Sequence, residues 1–100
     1  MEKRRAHYDL AGIKAAFASV KTLRMTSTAT LSAEKLGFDR AAVVEVVQSI
    51  TVKCFYKSMT SDQNNKVWQD VYHVPAGSFV LYVKFTRDDD GNMLLSFKEK

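Results

Sequence analysis

The stretch Phe79-Val80-Leu81-Tyr82-Val83-Lys84-Phe85-Thr86-Arg87, continued by Asp88-Asp89-Asp90-Gly91-Asn92 and Met93-Leu94-Leu95-Ser96-Phe97-Lys98, decides the fold. Apolar and polar residues alternate with period two on both sides of an acidic turn ending in glycine, the pattern of a β-hairpin with one wet face. Asp89-Asp90-Gly91 fits a three-residue loop with Gly91 left-handed, which sets Asp88 opposite Asn92. Counting outward, Phe85 faces Leu95 and Val83 faces Phe97 on the core side, while Lys84 meets Ser96 and Tyr82 meets Lys98 on the other. A one-residue slip would bury the lysines and expose both phenylalanines, so the hydrophobic pattern resists it.

The same period extends upstream, giving strands at 53–60, 66–74, 79–87 and 93–98, with breaks at 61–65, 75–78 and 88–92. In the second strand Trp68 and Tyr72 share one face, with Gln69 and Val71 on the other; Trp68 is assigned to packing. Lys57 fits this scheme poorly. It alternates with Phe55 and Met59, so a regular strand would set it among apolar residues and put Tyr56 on the other face; a bulge or an edge position would reconcile this.

Before residue 52 the period is helical. Asp9 is expected to cap a helix carrying Leu10, Ile13, Phe17 and Val20, and a link over 21–26 leads to a second helix at about 27–36, closed by Gly37. Asp39 is the expected N-cap of a third helix, with Phe38 stapled onto Val43. There Val43, Val44, Val46, Val47 and Ile50 leave only a narrow polar side at Arg40, Glu45 and Gln48, so this helix lies against the sheet. The expectation is an α+β domain over residues 1–100, its N-terminal helices packed on a C-terminal antiparallel β-sheet.

One hundred residues support one continuous core, and 15 basic against 11 acidic side chains give a net charge of +4, which suits a polyanionic partner. The lone Cys54 has no internal disulfide partner and reads as a half-buried thiol in a reducing compartment. Met1 to Arg5 is basic like the start of a signal peptide, yet Ala6 to Leu10 contains His7 and Asp9 and no apolar region follows. No segment nears the ~20 apolar residues that span a bilayer. A cytoplasmic protein is expected.

The polar residues of the strands are lysines, tyrosines and a glutamine, without an acid pair or metal ligands. Such a set suits phosphodiester chemistry on RNA, whose ribose 2′-hydroxyl is already a neighbouring nucleophile. Proton transfer and charge neutralisation are what a protein must add. The bland alternative is that Lys57, Lys84 and Lys98 are solvated strand residues that discourage aggregation. Crowded ammonium groups also weaken one another's hold on a proton, which lets a lysine act as a base. His7 and His73 with one distant cysteine do not make a metal site, and His73 reads as a surface or turn residue. The segment 32–40 resembles a helix-turn-helix, but the helix that would read bases is almost all valine and alanine. The acidic tip at 88–90 reads as a solvated turn.

Met1-Glu2-Lys3-Arg4, Phe55-Tyr56-Lys57-Ser58-Met59-Thr60, Trp68-Gln69-Asp70-Val71-Tyr72, Val80-Leu81-Tyr82-Val83-Lys84 and Ser96-Phe97-Lys98-Glu99-Lys100 together resemble the motility quorum-sensing regulator (MqsR) family. That resemblance implies a RelE-like fold and the toxin of a type II toxin-antitoxin system, an endoribonuclease that cuts mRNA at GC-containing triplets. It implies Lys57, Gln69, Tyr82 and Lys98 as the catalytic positions. Tyr56 and Lys84 are second choices for RNA contact, and the residue set itself calls for no cofactor or metal. The resemblance also implies a cognate antitoxin, MqsA-like, which binds zinc and DNA and acts in transcription regulation, and a part in stress response and persistence. His73 stands where the family has an arginine, and the loop at 75–78 departs from the pattern. The competing class is a non-catalytic RNA- or antitoxin-binding module.

Overall fold

The computed structural model describes residues 1–60 and 66–100. The break expected at 61–65 lies outside the described residues. Strand β1 (Glu2–Lys3) is followed by helices α1 (Leu10–Ala16), α2 (Ser27–Lys35) and α3 (Arg40–Ser49), and a 3-10 turn (Val52–Cys54) leads into β2 (Phe55–Thr60). Then come β3 (Trp68–Ala76), β4 (Phe79–Arg87) and β5 (Met93–Glu99). The sheet runs β1-β2-β3-β4-β5 with every neighbour antiparallel. This is the α+β arrangement the periodicities call for.

The caps fall where short polar side chains precede apolar runs. Asp9, Thr26 and Asp39 each accept an N–H from the first turn of their helix, at Gly12, Ala29 and Ala42. Gly37 ends α2 with φ 84°, a conformation that a β-carbon would strain. Helix α1 is shorter than its apolar spacing suggests. The Gln48 amide of α3 donates to the carbonyls of Lys14 (2.7 Å) and Phe17 (3.3 Å), satisfying the last turn there. Val20 lies beyond that end and is 43% exposed. Arg40, expected on the polar side of α3 with Gln48, instead donates to the Val20 and Leu23 carbonyls and holds the link.

All three helices cover one face of the sheet. Ile13 and Phe17 of the first helical segment, Ala29 and Ala33 of α2, and Val43, Val46, Val47 and Ile50 around α3 meet Tyr72, Val74, Leu81, Val83, Phe85, Leu95 and Phe97 in one apolar cluster. Phe17 stacks on Phe85 at 5.8 Å and Phe38 meets Phe97 edge-on at 5.6 Å. Helix α3 turns Val43, Val46 and Val47 into the core, and on its exposed side Arg40 and Gln48 are engaged with backbone carbonyls.

The last hairpin follows the expected register: Tyr82 pairs with Lys98, Val83 with Phe97, Lys84 with Ser96 and Phe85 with Leu95. Asp88 N–H bonds the Asn92 carbonyl at 2.9 Å, and Gly91 has φ 83°. Strand boundaries differ, with β3 starting at Trp68 rather than 66 and β5 ending at Glu99 rather than 98. Lys53 and Cys54 belong to the 3-10 turn rather than to a strand, with Cys54 half-buried, and β3 continues through Pro75 and Ala76, so the turn is only Gly77-Ser78.

The N-terminal segment docks through a wholly buried carboxylate. Asp70 accepts the backbone N–H of His7 (3.0 Å) and of Tyr8 (2.8 Å) and the Ser58 hydroxyl (2.7 Å). Beside it His7 stacks on Trp68 at 5.4 Å, and the Lys3 ammonium lies 4.2 Å from the Trp68 ring. Trp68 therefore packs a satellite cluster, and His7 belongs to it. Asp70→Ala leaves two backbone donors and a hydroxyl without their acceptor and is expected to destabilise the fold by about 3 kcal/mol. Urea unfolding measures this, and a loss below about 1 kcal/mol would contradict the account.

Candidate active site

The helix-free face of the sheet carries the polar residues in cross-strand rows. In the first, the Tyr56 ring stacks on His73 at 4.3 Å. His73 pairs with Tyr82, and Tyr82 pairs with Lys98, whose ammonium lies 5.2 Å from the phenol ring. In the second row Lys57 pairs with Val71, Val71 with Lys84 and Lys84 with Ser96. Gln69, opposite Met59, begins the third.

A bulge makes this possible. The β2–β3 register shifts between Phe55 and Lys57: Phe55 pairs with Tyr72 and meets its ring edge-on at 5.5 Å, whereas Lys57 pairs with Val71. Tyr56 is the extra residue, and both it and Lys57 emerge on the helix-free face. The Lys57 ammonium is 5.3 Å from the Tyr56 ring. Val71 has no exposed surface yet stands outside the helix-side cluster, so it is the apolar floor between Lys57 and Lys84.

The cations of this surface sit in different fields. Lys57 bonds the Glu2 carboxylate of β1, which raises its pKa above the ordinary lysine value and lowers that of Glu2. Lys84 is shifted down, first by burial and then by the charge of Lys98. His73 is also shifted down, by burial and then by Lys100, and its Nε2 is enclosed without a hydrogen-bond partner. One surface thus holds a lysine that keeps its proton and two groups that give theirs up more readily.

The structure therefore brings Lys57, Gln69, Tyr82, Lys98, Tyr56 and Lys84 to one face. It corrects the reading of His73, which is neither in a turn nor a bystander but sits mid-sheet between Tyr56 and Tyr82. The parity of β3 contained that information, since residues 69, 71 and 73 alternate together. Glu2 was missed because a two-residue strand has no readable period. Among the described residues no group of three or more His, Cys, Asp or Glu side chains could hold a metal ion. No helix among them is long and apolar enough to cross a membrane.

A small α+β chain with ammonium groups and phenols on an uncovered antiparallel sheet defines a class, and comparison with known proteins gives the family. Residues 5–99 match the family described as motility quorum-sensing regulator, toxin of MqsA. The chain is 36% identical over 100 residues, all of both chains, to the mRNA interferase toxin MqsR of Escherichia coli (strain K12). It belongs to the MqsR toxin family and is an enzyme of that family's endoribonuclease class.

The histidine shift has a measurable consequence. Above its ordinary value of 6.5, His73 is neutral in the folded and unfolded chain alike. Below it the unfolded chain takes up the proton first, so stability is lost as pH falls towards the lower folded value. The urea midpoint should drop more steeply between about pH 7 and pH 5 in the wild type than in His73→Gln. Equal slopes would show that His73 is not held in its neutral form.

Proposed function

We propose that residues 1–100 act as one domain, the toxin of a type II toxin-antitoxin system, which cuts mRNA without a metal ion and so stops translation and growth. The observation that carries the reading is Tyr82 lying between the Lys84 (5.9 Å) and Lys98 (5.2 Å) ammonium groups, with Lys57 on the same face. A phosphodiester bridging these groups meets positive charge and a phenol, with carbon side chains below.

In this mechanism the ribose 2′-oxygen attacks the adjacent phosphorus, a new O2′–P bond forms and the P–O5′ bond breaks. The products are a 2′,3′-cyclic phosphate and a 5′-hydroxyl. Lys57, held protonated by Glu2, and Lys98 neutralise charge on the phosphorane, where fixed charges act without reorganisation. Tyr82 acts as the acid, base or orienting group at the phosphate. Gln69 positions phosphate or base through its amide, Tyr56 offers an exposed ring for stacking, and Lys84 contacts the backbone. Lys84 and His73, both shifted towards their neutral forms first by burial and then by Lys98 and Lys100 respectively, are the candidates for accepting the 2′-hydroxyl proton.

Family membership supports the rest of the proposal: a cytoplasmic site of action, where mRNA is met, and neutralisation by a cognate antitoxin. That antitoxin is MqsA-like, binds zinc itself, binds DNA and regulates transcription of the pair. Release of the toxin then links it to stress response and persistence, and GC-containing triplets are its cleavage sites.

The test is purified protein incubated with mRNA in EDTA, with mapping of new 5′-hydroxyl ends. Cleavage should persist in EDTA. Lys98→Ala and Tyr82→Ala should each lower it by ~100-fold or more while leaving the unfolding midpoint in place, since both side chains lie on the uncovered face. Retained RNA binding without new ends would favour a non-catalytic module, and full activity in both variants would remove the proposed site.

A further inference from the structure

Between the second and third rows, on the same face, the sheet holds a hollow of about 180 Å³ lined by Thr26, Gln69, Lys84, Thr86, Leu94 and Ser96. Drug-sized ligands need roughly 300 Å³ or more, so this space suits a single flat ring. Its outer wall is not part of the sheet ladder proper. Residues 24–26 run beside β5, with Leu95 N–H bonding the Arg24 carbonyl and Thr26 N–H bonding the Leu95 carbonyl, and this sets Thr26 against Leu94 and Ser96.

The polar groups around the hollow are unspent or preset. Among the described residues the Gln69 amide, the Ser96 hydroxyl and the Lys84 ammonium make no hydrogen bond, although all three side chains are half-buried. None of the three is a buried unsatisfied group, so each reaches solvent and is free to exchange water for a ligand's polar edge. Thr86 donates its hydroxyl to the Trp68 carbonyl at 3.0 Å, which turns its oxygen lone pairs to acceptance. Thr26 already accepts the Ala29 N–H at 3.0 Å, which leaves its hydroxyl hydrogen to donate. Leu94 supplies the apolar surface. Convergent donors and acceptors, two of them fixed in polarity at Thr26 and Thr86, around an apolar patch the size of one ring, are what reading a base edge requires.

We infer that this hollow is a nucleobase subsite, which takes one unpaired base of the RNA strand beside the scissile phosphate and reads its hydrogen-bonding edge. The inference rests on the RNA-cleaving reading of the neighbouring row. Lys84 and Ser96, which wall the hollow, lie two residues along their strands from Tyr82 and Lys98, about 7 Å away. A base attached to a ribose next to that phosphate reaches the hollow, while its backbone stays over Tyr82 and Lys98. Thr26, Thr86 and Ser96 are then specificity-determining residues, and sequence preference arises at the β5 edge rather than at the reacting atoms.

The experiment sequences the new 5′-hydroxyl ends made from a random-sequence single-stranded RNA pool by the wild type, Ser96→Leu, which fills the hollow, and Thr86→Val, which removes its acceptor. In parallel, short random-sequence RNAs retained by each protein are sequenced. The wild type should prefer one base at a fixed position beside the cut, and both variants should weaken that preference by about tenfold or more at that position alone. An unchanged preference in Ser96→Leu and Thr86→Val overturns the subsite. If the wild type makes no new ends, the cleavage reading fails by itself, and the retained RNAs decide: a base enriched by the wild type and lost in Ser96→Leu upholds the subsite, and no enrichment overturns it. Should Ser96→Leu not fold, Thr86→Val and Ser96→Ala carry the same comparison.

Discussion

A single extra residue in one short strand sets the chemistry of this surface. Without the bulge at Tyr56, strict alternation would send Lys57 to the helix side with Phe55, where an ammonium would meet the apolar cluster without a partner. With it, Phe55 keeps its contact with Tyr72 while Tyr56 and Lys57 both turn outward, one onto His73 and the other towards Glu2. Lys57, Tyr82 and Lys98 can share one face only because of that local departure from regular pairing.

The two faces of the sheet divide the work of the chain. One carries the apolar cluster under three helices, and beside it the buried Asp70 ties the N-terminal segment to β2 and β3. The other carries charge and phenols over the buried Val71. Strand β1 links the two. Its pairing with β2 is held from the helix side by the Asp70 contacts that follow it, and it delivers Glu2 to Lys57 on the open side. The local field at Lys57 is in this way an indirect product of the packing behind it.

Much of this arrangement was legible from residues alone. The pairing of Tyr82 with Lys98 and of Lys84 with Ser96 followed from an Asp-Asp-Gly turn, whose loop length sets the register, and from two alternating strands, whose core faces forbid a one-residue slip. The N-caps Asp9 and Asp39 were equally plain, whereas Thr26, which caps α2, reads in sequence as the end of a link. What could not be read has definite physical reasons. Whether Lys57 turned out by a bulge or by an edge position depends on pairing with β3, not on its own neighbours. His73 joined the site through its pairing with Tyr82 and its stacking on the bulged Tyr56, contacts that depend on β4 and β2 rather than on its own strand. Gln48 and Arg40 looked like solvent-facing residues of α3, and only the packed chain reveals that backbone carbonyls of the preceding segment take their donors.

The most direct measurement is a crystal structure of this protein with a short RNA whose 2′-hydroxyls are methylated, so that the nucleophile is blocked and the strand stays whole. The account places a phosphate on the helix-free face, within reach of Lys57, Tyr82 and Lys98, with Val71 beneath it. An RNA strand bound instead along the helices, or one crossing the sheet with its phosphates away from those three side chains, would contradict it.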